Sequence, residues 1–234
     1  MPSSVEYDAL WLSLTVATTA TVFSLPLAML AAWLLARTSF WGRAAFDAVV
    51  HAPLVLPPVV VGYLLLIALG TRGALGAWLD QTFGIRLIFT TSGAVVAAAV
   101  MSFPLMVRAI RLSLEAVDSG LEWAARTLGA TRLDAFMSVT LPLMLPGIVS
   151  GCMVAFAASL GEFGATITFA SNIEGETRTL PLAIYTAIQT PDGDRVALRL
   201  VMLSLTLAIG ALALAEVADR RIRRMLGRSG PGAS

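Results

Sequence analysis

Long uninterrupted apolar runs, separated by short polar intervals, dominate the chain. Five stretches, at roughly 9–36, 46–70, 87–107, 143–170 and 196–217, are each long and apolar enough for a bilayer span, which needs about 20 mainly apolar residues. Several exceed that minimum, which allows tilt or kinks. Strands of a membrane barrel would alternate over about ten residues, and these runs do not. The expected fold is an all-α integral membrane domain of five transmembrane helices, with residues 1–234 as one unit. Two spans carry irregularities. The second holds Pro53, Pro57 and Pro58. Each proline removes an N–H donor and disturbs the preceding turn, so this span is either a kinked packing helix or a kink beside a transport path. The fourth contains Gly147 and Gly151, a pair whose spacing lets helices approach closely.

One polar interval is too patterned to be a simple connector. Residues 108–142 read RAIRLSLEAVDSGLEWAARTLGATRLDAFMSVTLP. Ser119 and Glu122 have the spacing of a capping box. Leu121, Ala124, Ala125 and Leu128 then follow at i, i+3, i+4 and i+7, one face of a helix. Gly129 suits the left-handed position that ends it. Thr131 and Asp134 repeat the start signal for a second helix, and Leu141-Pro142 lies at the entry to the fourth span. Two short helices bent at a glycine are therefore expected. They either rest on lipid headgroups or offer the shallow Ala124-Ala125 face to a partner. Near the end of the chain, Leu180, Ala183, Ile184, Ala187 and Ile188 fall at helical spacing. They suggest a short helix at the outer surface, a lid on the spans or a place where a delivering protein docks.

Composition sharpens this. Hydrophobic residues make up 57% of the 234 and charged residues 13%, with a mean hydropathy of +0.82; ordinary soluble domains carry about 25% charged residues. All sixteen basic residues are arginine, so the chain lacks the lysine a P-loop ATPase places on nucleotide phosphates. One cysteine, Cys152, and one histidine, His51, leave no intrachain disulfide and no Cys- or His-rich metal site. No set of catalytic residues is apparent, and a net charge of +1 gives no reason to expect nucleic acid. Eleven arginines (37, 43, 108, 111, 126, 132, 220, 221, 223, 224 and 228) fall on one side of the five-span layout and five on the other. Positive charge favours the cytoplasm, which places the N-terminus outside and the C-terminus inside. The start, MPSSVEYDALW, has no basic segment before its apolar run and reads as a retained helix rather than a signal peptide. Trp11, Trp33, Trp41 and Trp78 lie near expected membrane edges, and the RRIRR tail reads as a topology anchor.

The 108–142 interval carries a resemblance. Trp123-Ala124-Ala125, then Gly129, then Val139-x-Leu141-Pro142 resembles the E-A-A, three residues, G, nine residues, I-x-L-P loop of ABC importer permeases. Trp123 stands where that pattern has Glu, with Glu122 just before it, and Val139 replaces Ile. The segments APLVLPPVVVGYLLL, AARTLGA, SLGEFGATITFASNI and GETRTLPLAIYTAIQTP are similar to permeases of molybdate importers. Sulfate permeases share a GEFGA-like block. The resemblance implies that the loop at about 115–142 couples to an ATPase through Glu122, Trp123, Ala124, Ala125, Gly129, Leu141 and Pro142. It implies a homodimer in the bacterial inner membrane, a cytoplasmic ABC ATPase dimer that uses ATP and Mg, and a periplasmic molybdate-binding protein. No cofactor or metal is expected on this chain. The rivals are the same machinery carrying sulfate, thiosulfate or tungstate, and a channel or secondary transporter that works alone.

Glu162 falls within the fourth span, about 30 Å of helical rise beyond Pro142. An ionisable residue at such a depth is a functional candidate. A bare carboxylate would repel an oxyanion, so it is expected to be protonated, paired with an arginine such as Arg178, or part of a closed gate. Ser159, Gly161, Phe163 and Gly164 form the candidate gate region with it.

Overall fold

The computed structural model describes residues 4–225, and among these all regular structure is helical. Helix α1 (Ser4–Arg37) is followed by α2 (Arg43–Val55), α3 (Pro58–Leu69), α4 (Ala74–Phe83) and α5 (Thr91–Glu115). Then come α6 (Ser119–Thr127), α7 (Arg132–Ala135), α8 (Leu141–Leu160), α9 (Gly164–Phe169), α10 (Leu180–Gln189) and α11 (Asp194–Met225), with a π-helical turn at Phe136–Thr140 joining α7 to α8. Met1–Ser3 and the end of the tail, including Arg228, lie outside the described residues.

Among the described residues, three helical stretches are long and apolar enough to cross a membrane: Glu6–Arg37, Thr91–Glu115 and Arg132–Leu160. They match the first, third and fourth expected spans. The second expected span, 46–70, is not a continuous helix. Its halves, α2 and α3, meet at 119°, so it counts as a fourth span only if the bent pair is taken together. The cause lies in two prolines. Pro57 holds Leu56 extended at φ −75°, ψ 141°, as a residue before proline prefers. Pro58 then occupies the first turn of α3, where its missing N–H costs nothing. The fifth expected segment, 196–217, lies within α11.

The centre of the molecule is the packing of α1, α5 and α8. Small residues on α1 (Ala28, Ala31, Ala32) let it lie close to Met106, Val107, Ile110 and Leu114 of α5 and to Met144, Ile148 and Ala155 of α8. The Gly147–Gly151 pair sets the α5–α8 approach. A Cβ on Gly147 would collide with Ser113 Cβ, and one on Gly151 would come within 3.2 Å of the Met106 carbonyl oxygen. The glycine spacing is thus used as a close helix contact, as expected. Cys152 is partly buried against the same core.

Polar contacts gather at two ends. At one, Arg111 reaches Asp47 (3.4 Å) and Glu115 (2.8 Å), and His51 lies 3.0 Å from Asp47. At the other, Arg199 approaches the buried Glu6 (3.0 Å), Thr91 donates to the Glu176 carbonyl, and the Leu180 N–H donates to Ser13 Oγ (2.7 Å). Helix α10 forms where the spacing predicts. Leu180, Ala183 and Ala187 are buried with Ala9 of α1 and Ala197 and Leu200 of α11, so its apolar face covers the spans, while Ile188 stays 61% exposed.

Candidate functional site

The candidate residues fall in two places, each combining unusual backbone with polar side chains. The first is the 115–142 segment. Helix α6 is capped by Asp118, whose carboxylate accepts from the Gly120 N–H at 2.8 Å, and not by Ser119. With Asp118 at the cap, Glu122 stands in the fourth helical position, too far along to reach back to the cap. It turns sideways instead. Its Oε1 accepts from Arg37 Nη2 of α1 at 3.2 Å and from Thr140 Oγ1 at 2.5 Å. Charge-assisted hydrogen bonds of this kind are stronger than neutral ones. Thr140 is 1% exposed, so one carboxylate oxygen ties α6 to the end of α1 and to the start of the long α8 span. Sequence reasoning misses both partners. It counts Arg37 for topology alone, although a basic residue at a span end facing a loop carboxylate is the available signal.

The end of α6 follows the expectation. The Ala130 N–H bonds to the Ala125 carbonyl and the Gly129 N–H to the Arg126 carbonyl, each at 3.1 Å. This is the paired-bond helix stop that places a left-handed residue after the cap. Gly129 has φ +99°, a conformation costly for any residue with a Cβ. The Thr131–Asp134 capping box is formed in both directions. Beyond it the chain does not form a separate second short helix. After one turn, α7 widens into the π turn and runs on as α8. Pro142 supplies a reason, because it has no N–H for the carbonyl four residues back and its ring crowds that carbonyl. A wider turn relieves the clash, and within it the Leu141 N–H bonds to the Phe136 carbonyl.

No residue of α6 is buried. Leu121 is 47%, Trp123 63% and Leu128 89% exposed, Ala124 is exposed and Ala125 half-buried. Arg126 sits 5.0 Å over the Trp123 ring. Amphipathic helices ordinarily bury their apolar stripe, whereas α6 is held from one side and leaves its apolar residues open.

The second place is a junction of broken helices. The fourth expected span, 143–170, stops at Leu160, and Gly161–Phe163 separate α8 from α9. Glu162 is 9% exposed, and its Oε1 accepts from the Ala165 N–H at 2.7 Å. It caps the first turn of α9 and is not paired with Arg178. That arginine donates to Asn172 and Glu174, each at 2.9 Å. Gly164 packs on Pro58, where a Cβ would approach Pro58 Cβ to 2.7 Å, and a Cβ on Gly62 would meet the Ala165 carbonyl oxygen at 2.7 Å. The break between α2 and α3 and the break between α8 and α9 therefore sit against each other. Phe163 packs at a tilt against Tyr185 of α10, with ring centres 5.1 Å apart. Gly161 is exposed, while the Ser159 hydroxyl is buried without a hydrogen-bond partner among the described residues. The candidate residues 159–164 are thus brought together with Pro58, Gly62 and Tyr185, which no local pattern in the sequence connects to them.

The chain is similar to known transport proteins over nearly its whole length. It is 59% identical to the molybdenum transport system permease protein ModB of Escherichia coli (strain K12), over 95% of this chain and 97% of that one. It is 52% identical to ModB of Haemophilus influenzae, over 96% and 98%, and 36% identical to the sulfate transport system permease protein CysT of Salmonella typhimurium, over 90% and 76%. In fold it matches a chain of a bacterial alginate ABC transporter solved in complex with an alginate-bound periplasmic protein. That match has a TM-score of 0.75 and 18% identity, over 94% of this chain and 80% of that one. Residues 24–224 match the family described as binding-protein-dependent transport system inner membrane component. The chain is a multi-pass inner-membrane protein belonging to that family of transport permeases.

Proposed function

We propose that this chain is the permease subunit of an ATP-driven molybdate importer, passing the oxyanion from a periplasmic binding protein into the cytoplasm. Identity to the Escherichia coli and Haemophilus influenzae molybdenum permeases, 59% and 52%, exceeds the 36% to the sulfate permease, which favours molybdate over the sister oxyanion. In this reading α11 is the fifth span, the N-terminus lies outside and the 115–142 segment lies in the cytoplasm. Two copies line one path, and each copy presents α6 to one subunit of a cytoplasmic ATPase dimer. ATP and Mg are used by that partner, consistent with a chain that has no lysine for a P-loop.

The observation that carries the coupling role is the mounting of α6. Its apolar side chains are open, yet Glu122 fastens it to α1 and to the start of α8. A displacement of α6 by the ATPase is thereby transmitted to two spans at once. At the far end of α8 the Glu162 cap, the α9 turn and the Phe163–Tyr185 ring contact form the gate region. Here Glu162 keeps the α9 backbone satisfied as α8 moves, and does not touch the oxyanion. The decisive experiment is co-purification with the ATPase and binding protein, then ATP-driven uptake of molybdate, tungstate and sulfate into proteoliposomes. Molybdate uptake that depends on all three components supports the reading. Uptake without ATPase, or of sulfate alone, overturns it.

A further inference from the structure

An open groove of about 680 Å3 runs between α1, α6, α7 and the start of α8. Its floor is apolar, made by the buried Leu114 and Met144, and its walls include the exposed Leu30, Trp33 and Leu133. Its rim is basic: Arg37, Arg126 and Arg132 line it with one carboxylate, Glu122. Glu122 is committed to Arg37 and Thr140. Arg126 faces the Trp123 ring, and neither it nor Arg132 makes an ion pair among the described residues. The groove therefore joins an apolar trough, walled by the exposed Leu30 and Trp33 of α1, to two positive charges that have no ion-pair partner among the described residues.

We propose that this groove binds an anionic phospholipid of the cytoplasmic leaflet, with one acyl chain in the trough against Leu30, Trp33 and Leu133 and the phosphate between Arg126 and Arg132. The inference rests on the cytoplasmic placement of the 115–142 segment proposed above. A zwitterionic lipid would match the trough but not the rim, whose charge selects the headgroup. Basic pockets between spans on this side of the membrane suit anionic headgroups, and each arginine near such a surface is worth about a fivefold preference. The groove touches α6 directly, so the lipid braces the same helix that Glu122 tethers.

The test measures lipid retained by the full-length chain purified from membranes, independently of transport. The chain is equilibrated in mixed micelles of equal phosphatidylglycerol and phosphatidylcholine, and bound lipid is read by native mass spectrometry. Wild type is expected to retain phosphatidylglycerol roughly tenfold or more over phosphatidylcholine. The Arg126→Gln/Arg132→Gln double variant is expected to show no preference, and Arg126→Lys/Arg132→Lys to keep most of it. Equal retention of the two lipids by wild type overturns the proposal, whatever the variants do. Displacement of phosphatidylglycerol by millimolar glycerol phosphate or molybdate makes the rim a free-anion site and also overturns it. So does loss of bound lipid when the ATPase is added, which would make the groove part of a protein interface. Failure of ATP-driven uptake would leave the lipid result standing, so the two proposals fail separately.

Discussion

Glu122 and Glu162 are both carboxylates placed by backbone chemistry, and they do different work. Glu122 accepts two hydrogen bonds on one oxygen, from Arg37 and from the buried Thr140. Glu122→Ala leaves the Thr140 hydroxyl unsatisfied, at a cost of about 1–3 kcal/mol, and frees α6 from both spans. Substrate-stimulated ATP hydrolysis in the reconstituted complex should fall several-fold while membrane insertion persists. Glu122→Gln, which can still accept from Thr140, should lie between that variant and wild type. Wild-type coupling in Glu122→Ala would dismiss the tether. Glu162 faces a different partner, the Ala165 N–H. A glutamine oxygen accepts the same bond, so Glu162→Gln should keep the thermal midpoint, whereas Glu162→Ala should lose about 1 kcal/mol of cap energy. If Glu162→Gln keeps its stability but loses uptake, the charge itself acts in the gate; if it keeps both, Glu162 is a cap alone.

At the scale of elements, the legible features are those that local chemistry decides. The Thr131–Asp134 box and the left-handed Gly129 depend on residues within four positions of each other, so their spacing is sufficient. The α6 cap lies one residue before the expected Ser119, because Asp118 and Ser119 are both good caps and only the bond to Gly120 chooses between them. Pro57-Pro58 announces a disturbance in the second span but not a 119° bend, since its angle depends on the α3–α9 contact. The break after Leu160 carries no proline signal at all. It depends on Gly164 meeting Pro58 and on Glu162 satisfying the new helix start, and the first of these contacts joins residues about a hundred positions apart. Gly62→Val tests that junction. Its Cβ would lie 2.7 Å from the Ala165 carbonyl oxygen and 2.8 Å from Thr168 Cβ, and overpacking of this kind costs about 1–3 kcal/mol. The variant should therefore show a lowered thermal midpoint and reduced uptake, while Val61→Ala, one position away, should be milder in both.

For the whole molecule, charge and helix length together make the proposed arrangement of spans testable. The polar clusters of the described structure lie at two ends: Arg37, Asp47, Arg111, Glu115 and α6 at one, and Glu6, Arg199, Glu176 and α10 at the other. The proposed reading, with positive charge retained on the cytoplasmic side, puts the first end in the cytoplasm. Helix α11 has 32 residues, about 48 Å at helical rise. That exceeds the roughly 30 Å of hydrocarbon, so one end of α11 must emerge on each side if it spans. The chain has a single cysteine, Cys152, so a Cys152→Ser background allows one labelled position at a time. An impermeant maleimide applied to spheroplasts should label Gln81→Cys and Asp192→Cys, and should spare Ser119→Cys and Arg221→Cys. Inverted membrane vesicles should give the opposite pattern. Labelling of Asp192→Cys and Arg221→Cys from the same side would remove α11 from the spans and leave the C-terminus outside. Labelling of Ser119→Cys from the outside would separate α6 from the cytoplasm, and with it both the ATPase coupling and the lipid groove.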